Sequence, residues 1–417
     1  MGEPMAKPSG EHASYWQRIG ANRTVLALSY ARMADGIGNS LLFIVIPLYV
    51  ARLSAVHFPY PETVRAGILL SLFGLVAGFA QPFVAALVDR LNSRKPFVVG
   101  GLLLLTGASI SYVFTDRYLY TLVIRAVQGL GLAMTLPPTM AILTDTTKRE
   151  SRGGAMGIFV TFRVASIAVG PLLGGFIRDH YGFNAAFLAG AGFILLAAIL
   201  VAAWVKEVKV APEKRRPFKI FDRELASPAI FSAGFAIFVM ANSFAMIAPL
   251  EQKIDARLGQ SATAFAVAFS ILMLTRIALQ IPVGHLSDRI GRKGLVVGGL
   301  IAMAAASAPI AFVTSTWQLI VLRVLQGIAS AAVAAPALAL AGDLASAGGE
   351  GRQMAILTMG FGFGIAIGTL MSGLLAVVSF SLPFLVLAGL TLVAAWTVNH
   401  YVRETGSPQD RRRSTNP

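Results

Sequence analysis

The sequence predicts an all-α membrane protein, with twelve transmembrane helices in two pseudo-symmetric six-helix bundles. Three observations lead there. The 417 residues are 56% hydrophobic and 13% charged, where soluble domains carry roughly 25% charged residues, and the mean hydropathy is +0.70. Twelve apolar runs long enough to cross a bilayer follow one another, separated by short polar gaps. Finally, a unit of roughly two hundred residues is written twice. Its plainest echo is Gly284-His-Leu-Ser-Asp-Arg-Ile-Gly-Arg-Lys293 beside Ala85-Ala-Leu-Val-Asp-Arg-Leu-Asn-Ser-Arg-Lys95, which has one extra residue. Downstream the echo keeps a constant offset of 198: Arg125 and Arg323, Gln128 and Gln326, Gly129 and Gly327, Pro138 and Pro336, Asp145 and Asp343.

Taken in order, residues 1–23 form a polar tail without the apolar core of a signal peptide. Spans are expected at about 24–50, 66–88, 97–114, 119–144, 154–177 and 185–205, and these make an N-terminal bundle over 24–205. Each exceeds or approaches the ~20 apolar residues that cross the hydrocarbon core. Residues 206–228 are a basic linker with Pro212 and Pro217. Spans at about 229–250, 262–286, 295–313, 317–342, 353–377 and 380–402 make a C-terminal bundle over 229–402, followed by a tail at 403–417. The spans must be helices, because lipid offers backbone groups no partners and no ~10-residue alternating strands appear.

Twelve crossings put both ends on one side. That side collects 24 of the 35 Lys and Arg residues; the opposite loops hold six, and five lie within spans. Positive charge marks the cytoplasmic face, so both termini are expected in the cytoplasm and the protein in the inner or plasma membrane. The net charge of +15 sits in these short gaps, which points to topology and away from nucleic acid. Cysteine is absent, and His12, His57, His180, His285 and His400 fall at tails or span ends. With no HExxH, paired-Cys or Walker-type run, no metal, cofactor or enzyme chemistry is expected. ATP-driven transport would need a nucleotide domain that the chain lacks.

The informative residues are charges at membrane depth: Arg32, Asp35, Arg125, Arg163, Arg276 and Arg323. Each costs at least ~2.5–3.5 kcal/mol at the bilayer centre, so such groups face cavities and find partners. Arg32, Asp35 and Asn39 are spaced i, i+3, i+7 and share one helix face. Asp35 is the one acid deep within a span and the candidate proton carrier. Burial favours the protonated form of a carboxyl and a nearby guanidinium favours the ionised form, so moving arginines could switch its proton affinity. Glu251 lies near the outer end of the seventh span and stands as the next candidate. Gly170 and Gly174 form a small-xxx-small face for close helix packing, and Pro171 between them permits a kink.

Twelve spans, a basic central loop and two copies of the polar loop resemble the major facilitator superfamily of secondary transporters over about residues 20–403. The later copy fits that family's loop motif at every key position. The earlier copy departs at Ala85 and Asn92-Ser93. Arg125-Ala-Val-Gln-Gly-Leu-Gly131 is similar to the family's fourth-helix motif. Gly157, Gly170-Pro171 and Gly174-Gly175 are similar to the fifth-helix motif of its drug–proton antiporters, with Ser166 at a position usually Gly.

The resemblance implies alternating access by rocking one half against the other. It implies a central cavity lined by the first and fourth helices, where Arg32, Asn39 and Arg125 would meet substrate and Arg125 would partner Asp35. Arg163 and Arg276 match no family motif and join the candidate substrate-binding residues as isolated charges at depth. It also implies a cytoplasmic gate built from Asp89, Arg90, Gly284, Asp288, Arg289 and Arg292. There Asp288 would dock near Gly153-Gly154 and Asp89 near Gln353, each at a helix N-terminus that favours anions. The expected activity is proton-coupled efflux of a small amphipathic organic compound. Five deep arginines against one aspartate favour an anionic head. The protein is expected to act as a monomer, with protons, lipid and a small-molecule or lipid-like substrate as partners. Alternatives are a lipid or glycolipid flippase, an organic-anion symporter or uniporter, and a non-transporting receptor or scaffold.

The topology has a direct check in this cysteine-free chain. A single Cys replacing His57 should react with an impermeant reagent from outside, and one replacing Arg215 only from inside. Reaction of both from one side contradicts the arrangement.

Overall fold

An apolar run in a bilayer closes its backbone hydrogen bonds along itself, and every run read above is helical in the computed structural model of the chain. The structure describes residues 21–404 except 57, 92, 148–150, 208–226 and 344–349. Most of the expected tails and linker lie outside these residues, as do His57 and Arg215, the side chains of Asp89 and Gln353, and the surroundings of Gly153.

The first half contains α1 Arg23–Val50, α2 Glu62–Leu91, α3 Lys95–Ser111 and α4 Tyr118–Asp145. Then comes one run, Arg152–Trp204, broken at Gly182 with φ 84°. Only glycine adopts that backbone at little cost, so the run is two crossings, α5 (152–181) and α6 (183–204). The second half contains α7 Pro228–Ala245, α8 Ala262–Ile290, α9 Arg292–Ser307, α10 Thr316–Asp343, α11 Glu350–Val378 and α12 Leu382–Tyr401. Polar caps set several starts: the side chains of Asn22, Ser227 and Ser261 accept from the N–H groups of Val25, Ile230 and Ala264. The seventh span departs from expectation. Its helix stops at Ala245, passes through a 3-10 turn at Ala248–Leu250 and resumes as the short helix Glu251–Leu258.

Twelve crossings bring residue 21 and residue 404 to one side of the bundle, here the terminal side; the opposite side is the far side. The repeat survives in the packing. A Cβ added to Gly129 on α4 would lie 2.8 Å from the Phe73 carbonyl oxygen of α2. One added to Gly327 on α10 would lie 2.6 Å from the Leu272 carbonyl oxygen of α8. Both glycines therefore let a neighbouring backbone approach, at equivalent places in the two halves.

The halves meet through α2 with α11 and α5 with α8. On the far side, Asp179 Oδ2 accepts from the N–H and Oγ1 of Thr263, at 2.8 and 2.6 Å, across the seam. Gln252 Nε2 reaches the Pro47 and Leu48 carbonyls, both at 3.4 Å. Nearer the middle, Phe43 packs on Phe269 with ring centroids 6.1 Å apart, and Phe79 on Phe363 at 6.0 Å. Toward the terminal side, Phe83 of α2 and Ile281 of α8 are 70% and 72% exposed. The halves are thus joined on the far side, while toward the terminal side no hydrogen bond or ion pair recorded among the described residues links them.

The fifth-span glycines divide the work of this seam. An added Cβ on Gly170 would stand 2.8 Å from the Ile37 carbonyl oxygen, and one on Gly174 2.7 Å from that of Leu41. Those two seat α1 against α5 within the first half. Gly175 faces the other half, where its Cβ would stand 2.8 Å from the Ala262 carbonyl oxygen and 2.7 Å from the Ala266 Cβ. Overpacking of this kind costs typically ~1–3 kcal/mol. Gly175→Val should therefore shift the population toward a far-side-open form, whereas Gly170→Val should lower the melting temperature. Spin-label distances across the far-side seam and thermal unfolding check the two outcomes.

Candidate functional site

The i, i+3, i+7 spacing on α1 does place three polar side chains together. Arg32 Nη1 pairs with Asp35 Oδ2, and Asn39 Nδ2 donates to Asp35 Oδ1 at 2.6 Å. Asp35 is 2% exposed. Arg32, Asp35, Thr135 and Thr139 border a crevice of about 20 Å³ inside the first half, room for about one water.

Arg163 of α5 lies within electrostatic reach of Arg32, Asp35 and Arg276, so the two halves each bring an arginine to one place. The guanidinium carbons of Arg163 and of Arg276, on α8, each stand 5.9 Å from the centroid of the Phe361 ring on α11. Arg276 is buried, and its Nε has no hydrogen-bond partner. Among the described residues neither guanidinium has an acceptor or a counter-ion at contact; the ring face alone answers them. Cation–π contacts give ~0.5–2 kcal/mol, less than the cost of the charges at that depth. Phe361 also occupies the repeat position of Arg163, 198 residues on. Sequence reasoning did not single it out, since a lone aromatic in an apolar helix carries no signal.

Arg125 departs from expectation: it is not Asp35's partner. Its Nη1 donates to Gln128 Oε1 at 3.1 Å, its guanidinium lies over Phe73 at 5.3 Å, and Gln128 Nε2 donates to Ser109 Oγ at 2.9 Å. The rotation of α4 aims Arg125 into its own bundle, and depth in a span does not reveal rotation. The second half repeats the chain: Arg323 to Gln326 at 2.8 Å, and Gln326 to Ser307 at 2.8 Å. Arg323 also donates to the carbonyls of Ser243, Phe244 and Ala268, at 3.1, 3.2 and 3.2 Å. Ser243 and Phe244 lie in the last turn of α7, whose carbonyls are orphaned where the helix stops and attract a cation.

At the terminal side the contacts recorded for Asp288 and Gly284 lie within their own half. Asp288 accepts from Arg292 at 3.4 Å, and its side chain is 48% exposed. Among the described residues its recorded partner is Arg292, not the start of α5 where docking is expected. Arg90 and Arg289 are exposed, and the Gly284 carbonyl accepts from Ser287 Oγ at 2.7 Å. Two further residues hold the loops. Glu207 takes the Arg94 and Lys95 N–H groups at 2.8 and 3.1 Å, capping α3, while Arg94 pairs with Asp145 at 2.6 Å. Glu404 takes the Lys293 and Gly294 N–H groups at 3.0 and 3.3 Å, capping α9. The repeat carried this signal unread: Val205-Lys-Glu207 ends the sixth span and Val402-Arg-Glu404 the twelfth.

Comparison with known proteins follows the same lines. A sequence profile of the Major Facilitator Superfamily matches residues 28–254 and, in a second match, 230–417. Multidrug resistance protein MdtG of Serratia proteamaculans (strain 568) is 28% identical over 305 residues, 72% of this chain and 74% of that one. Its namesake from Escherichia fergusonii is 28% identical over 307 residues, with the same shares. Among solved structures, a bacterial homologue of the human lysosomal transporter Spinster, inward-facing and occupied, superposes with a TM-score of 0.73 at 15% identity, covering 90% of this chain and 95% of that one. The human organic anion transporter MFSD10 (TETRAN) gives 0.65 at 16% identity, covering 90% and 99%.

The carboxylate caps are open to a direct test. Glu404→Ala and Glu207→Ala should each cost about 1 kcal/mol, the usual loss with a helix cap. Both should lower the melting temperature of the purified protein, and Glu404→Gln should restore part of the loss.

Proposed function

The chain belongs to the Major Facilitator Superfamily, and on that footing we propose that it is a proton-coupled secondary transporter for an amphipathic organic molecule with an anionic head. The observation that carries the reading is the meeting of Arg163 and Arg276 at Phe361, one from each half, with no acid at contact among the described residues. Guanidinium groups bind carboxylate or phosphate in a bidentate fork, and Phe361 offers the adjoining apolar surface. A bound cation would lose its hydration here with nothing in return.

Positive charge collects on the terminal side, which we place in the cytoplasm. The central site then opens to the cytoplasm, the loading side for an exporter. Relatives called multidrug resistance proteins support efflux, which we couple to proton entry. Asp35 is the proposed proton carrier, since its protonation would release Arg32 from their pair.

One observation favours a second reading, cotransport of proton and anion. Asp35 stands beside two arginines, Arg32 and Arg163, so neutralising it leaves the site more positive. Proton and anion then strengthen each other's binding, whereas exchange needs each to weaken the other.

Arg163→Ala and Arg276→Ala should each weaken binding of an anionic amphiphile about 10- to 100-fold, the effect of losing ~1.5–3 kcal/mol of charged hydrogen bonding. Binding of a matched cation should not fall. Tight binding of monovalent organic cations, undiminished in Asp35→Asn, contradicts the reading. Asp35→Asn should also abolish accumulation driven by an imposed pH gradient in proteoliposomes while sparing binding. The direction of anion movement relative to the proton gradient separates exchange from cotransport.

A further inference from the structure

Glu251 has no part in the central site. It opens the short helix that follows α7, at the far-side seam. It is fully buried, and neither of its carboxylate oxygens has a hydrogen-bond partner. The charged groups that reach it are Asp255, one turn along its own helix, and Arg178 and Asp179 at the end of α5 in the other half. All three are engaged elsewhere. Arg178 pairs with Asp179 at 2.8 Å, Asp179 also caps the start of α8 at Thr263, and Asp255 accepts from Gln260 at 2.9 Å. An ionised carboxylate with neither hydrogen bond nor dedicated counter-ion is too costly to keep in such a place.

The residues beside it form part of the closure. Gln252 crosses the seam to the Pro47 and Leu48 carbonyls of α1. Lys253 Nζ donates to the Ala376 carbonyl at 2.7 Å. Arg52, Arg178, Gln252 and Asp255 border a far-side cleft of about 400 Å³, which brings water within one helical turn of Glu251.

We propose that Glu251 is a second proton-binding site, whose protonation lets the far side shut and whose ionisation drives it open. The proposal rests on the alternating-access reading, but on neither the substrate nor Asp35. Closure carries one proton from far-side water onto the carboxylate, and opening returns the group to water, where it ionises. Acid therefore favours the far-side-shut form, and that preference is lost as pH rises. The site also stands apart from Arg163 and Arg276, so its proton does not draw an anion into the central site.

The test is the distance between two spin labels in the full chain, attached through Val56→Cys and Val378→Cys, in nanodiscs from pH 5 to pH 9. Both positions are far-side and exposed, at 83% and 77%. In the otherwise native chain the open-to-shut ratio should rise with pH, by up to about tenfold per pH unit, the limit for one proton. Glu251→Gln should stay shut throughout, and Glu251→Asp should keep a pH response. A native-like response in Glu251→Gln overturns the proposal, as does loss of the response in Glu251→Asp. Failure of Glu251→Gln to fold also overturns it, since a neutral carboxyl should accept replacement by the amide of its own shape. Far-side distances that ignore pH overturn it as well; the alternating-access reading falls only if they ignore substrate too.

Discussion

Putting a guanidinium at the middle of a bilayer costs at least ~2.5–3.5 kcal/mol on insertion scales, and this chain does so five times. How each charge is answered organises the structure. Arg323 is met by the carbonyls that α7 releases where it stops, so a broken helix and a buried cation satisfy one another. Arg125 is met by Gln128 and the face of Phe73, and Arg32 by Asp35. Arg163 and Arg276 are met by one aromatic ring between them. Three of the five belong to the scaffold of their own half. The remaining two span the seam, and their need for negative charge is what a substrate can supply.

The same seam carries the conformational logic. The far side is closed by contacts that can be made and broken: a carboxylate on a helix start, an amide on α1 carbonyls, and glycines that admit a facing backbone. Bonds across the seam on one side and none recorded across it on the other are what rigid halves rocking about a central site would produce. Small residues at the crossing points matter because bilayer helices associate through close packing and not through any apolar advantage over lipid. The capped loops at the terminal side tie α3 and α9 to the ends of α6 and α12. Each half can then move as one body.

Much of the fold was legible because it rests on length and repetition. An apolar run of about 20 residues has one stable form in lipid, and the offset of 198 residues announced the two halves. The α1 group was legible for the same reason, since Arg32, Asp35 and Asn39 fall on one face by spacing alone. What sequence hid was rotation and partnership. Arg125 and Arg163 both lie within spans, yet one points into its own bundle and the other across the seam. Glu251 read as an acid near the outer end, but the folded chain buries it completely. Glu207 and Glu404 stood just past the span ends, where charges usually serve topology, and only the capped N–H groups reveal their work.

The central claim is that Arg163 and Arg276 hold one anionic head between the two halves. A double-mutant cycle on binding of an anionic amphiphile, with Arg163→Ala, Arg276→Ala and the pair combined, tests it most directly. Residues acting on one ligand group couple by ~0.5–3 kcal/mol, whereas independent sites add. The account predicts that the combined variant loses clearly less affinity than the sum of the single losses, because either substitution alone already breaks the two-armed grip. Strictly additive losses, or no loss in one single variant, would contradict it.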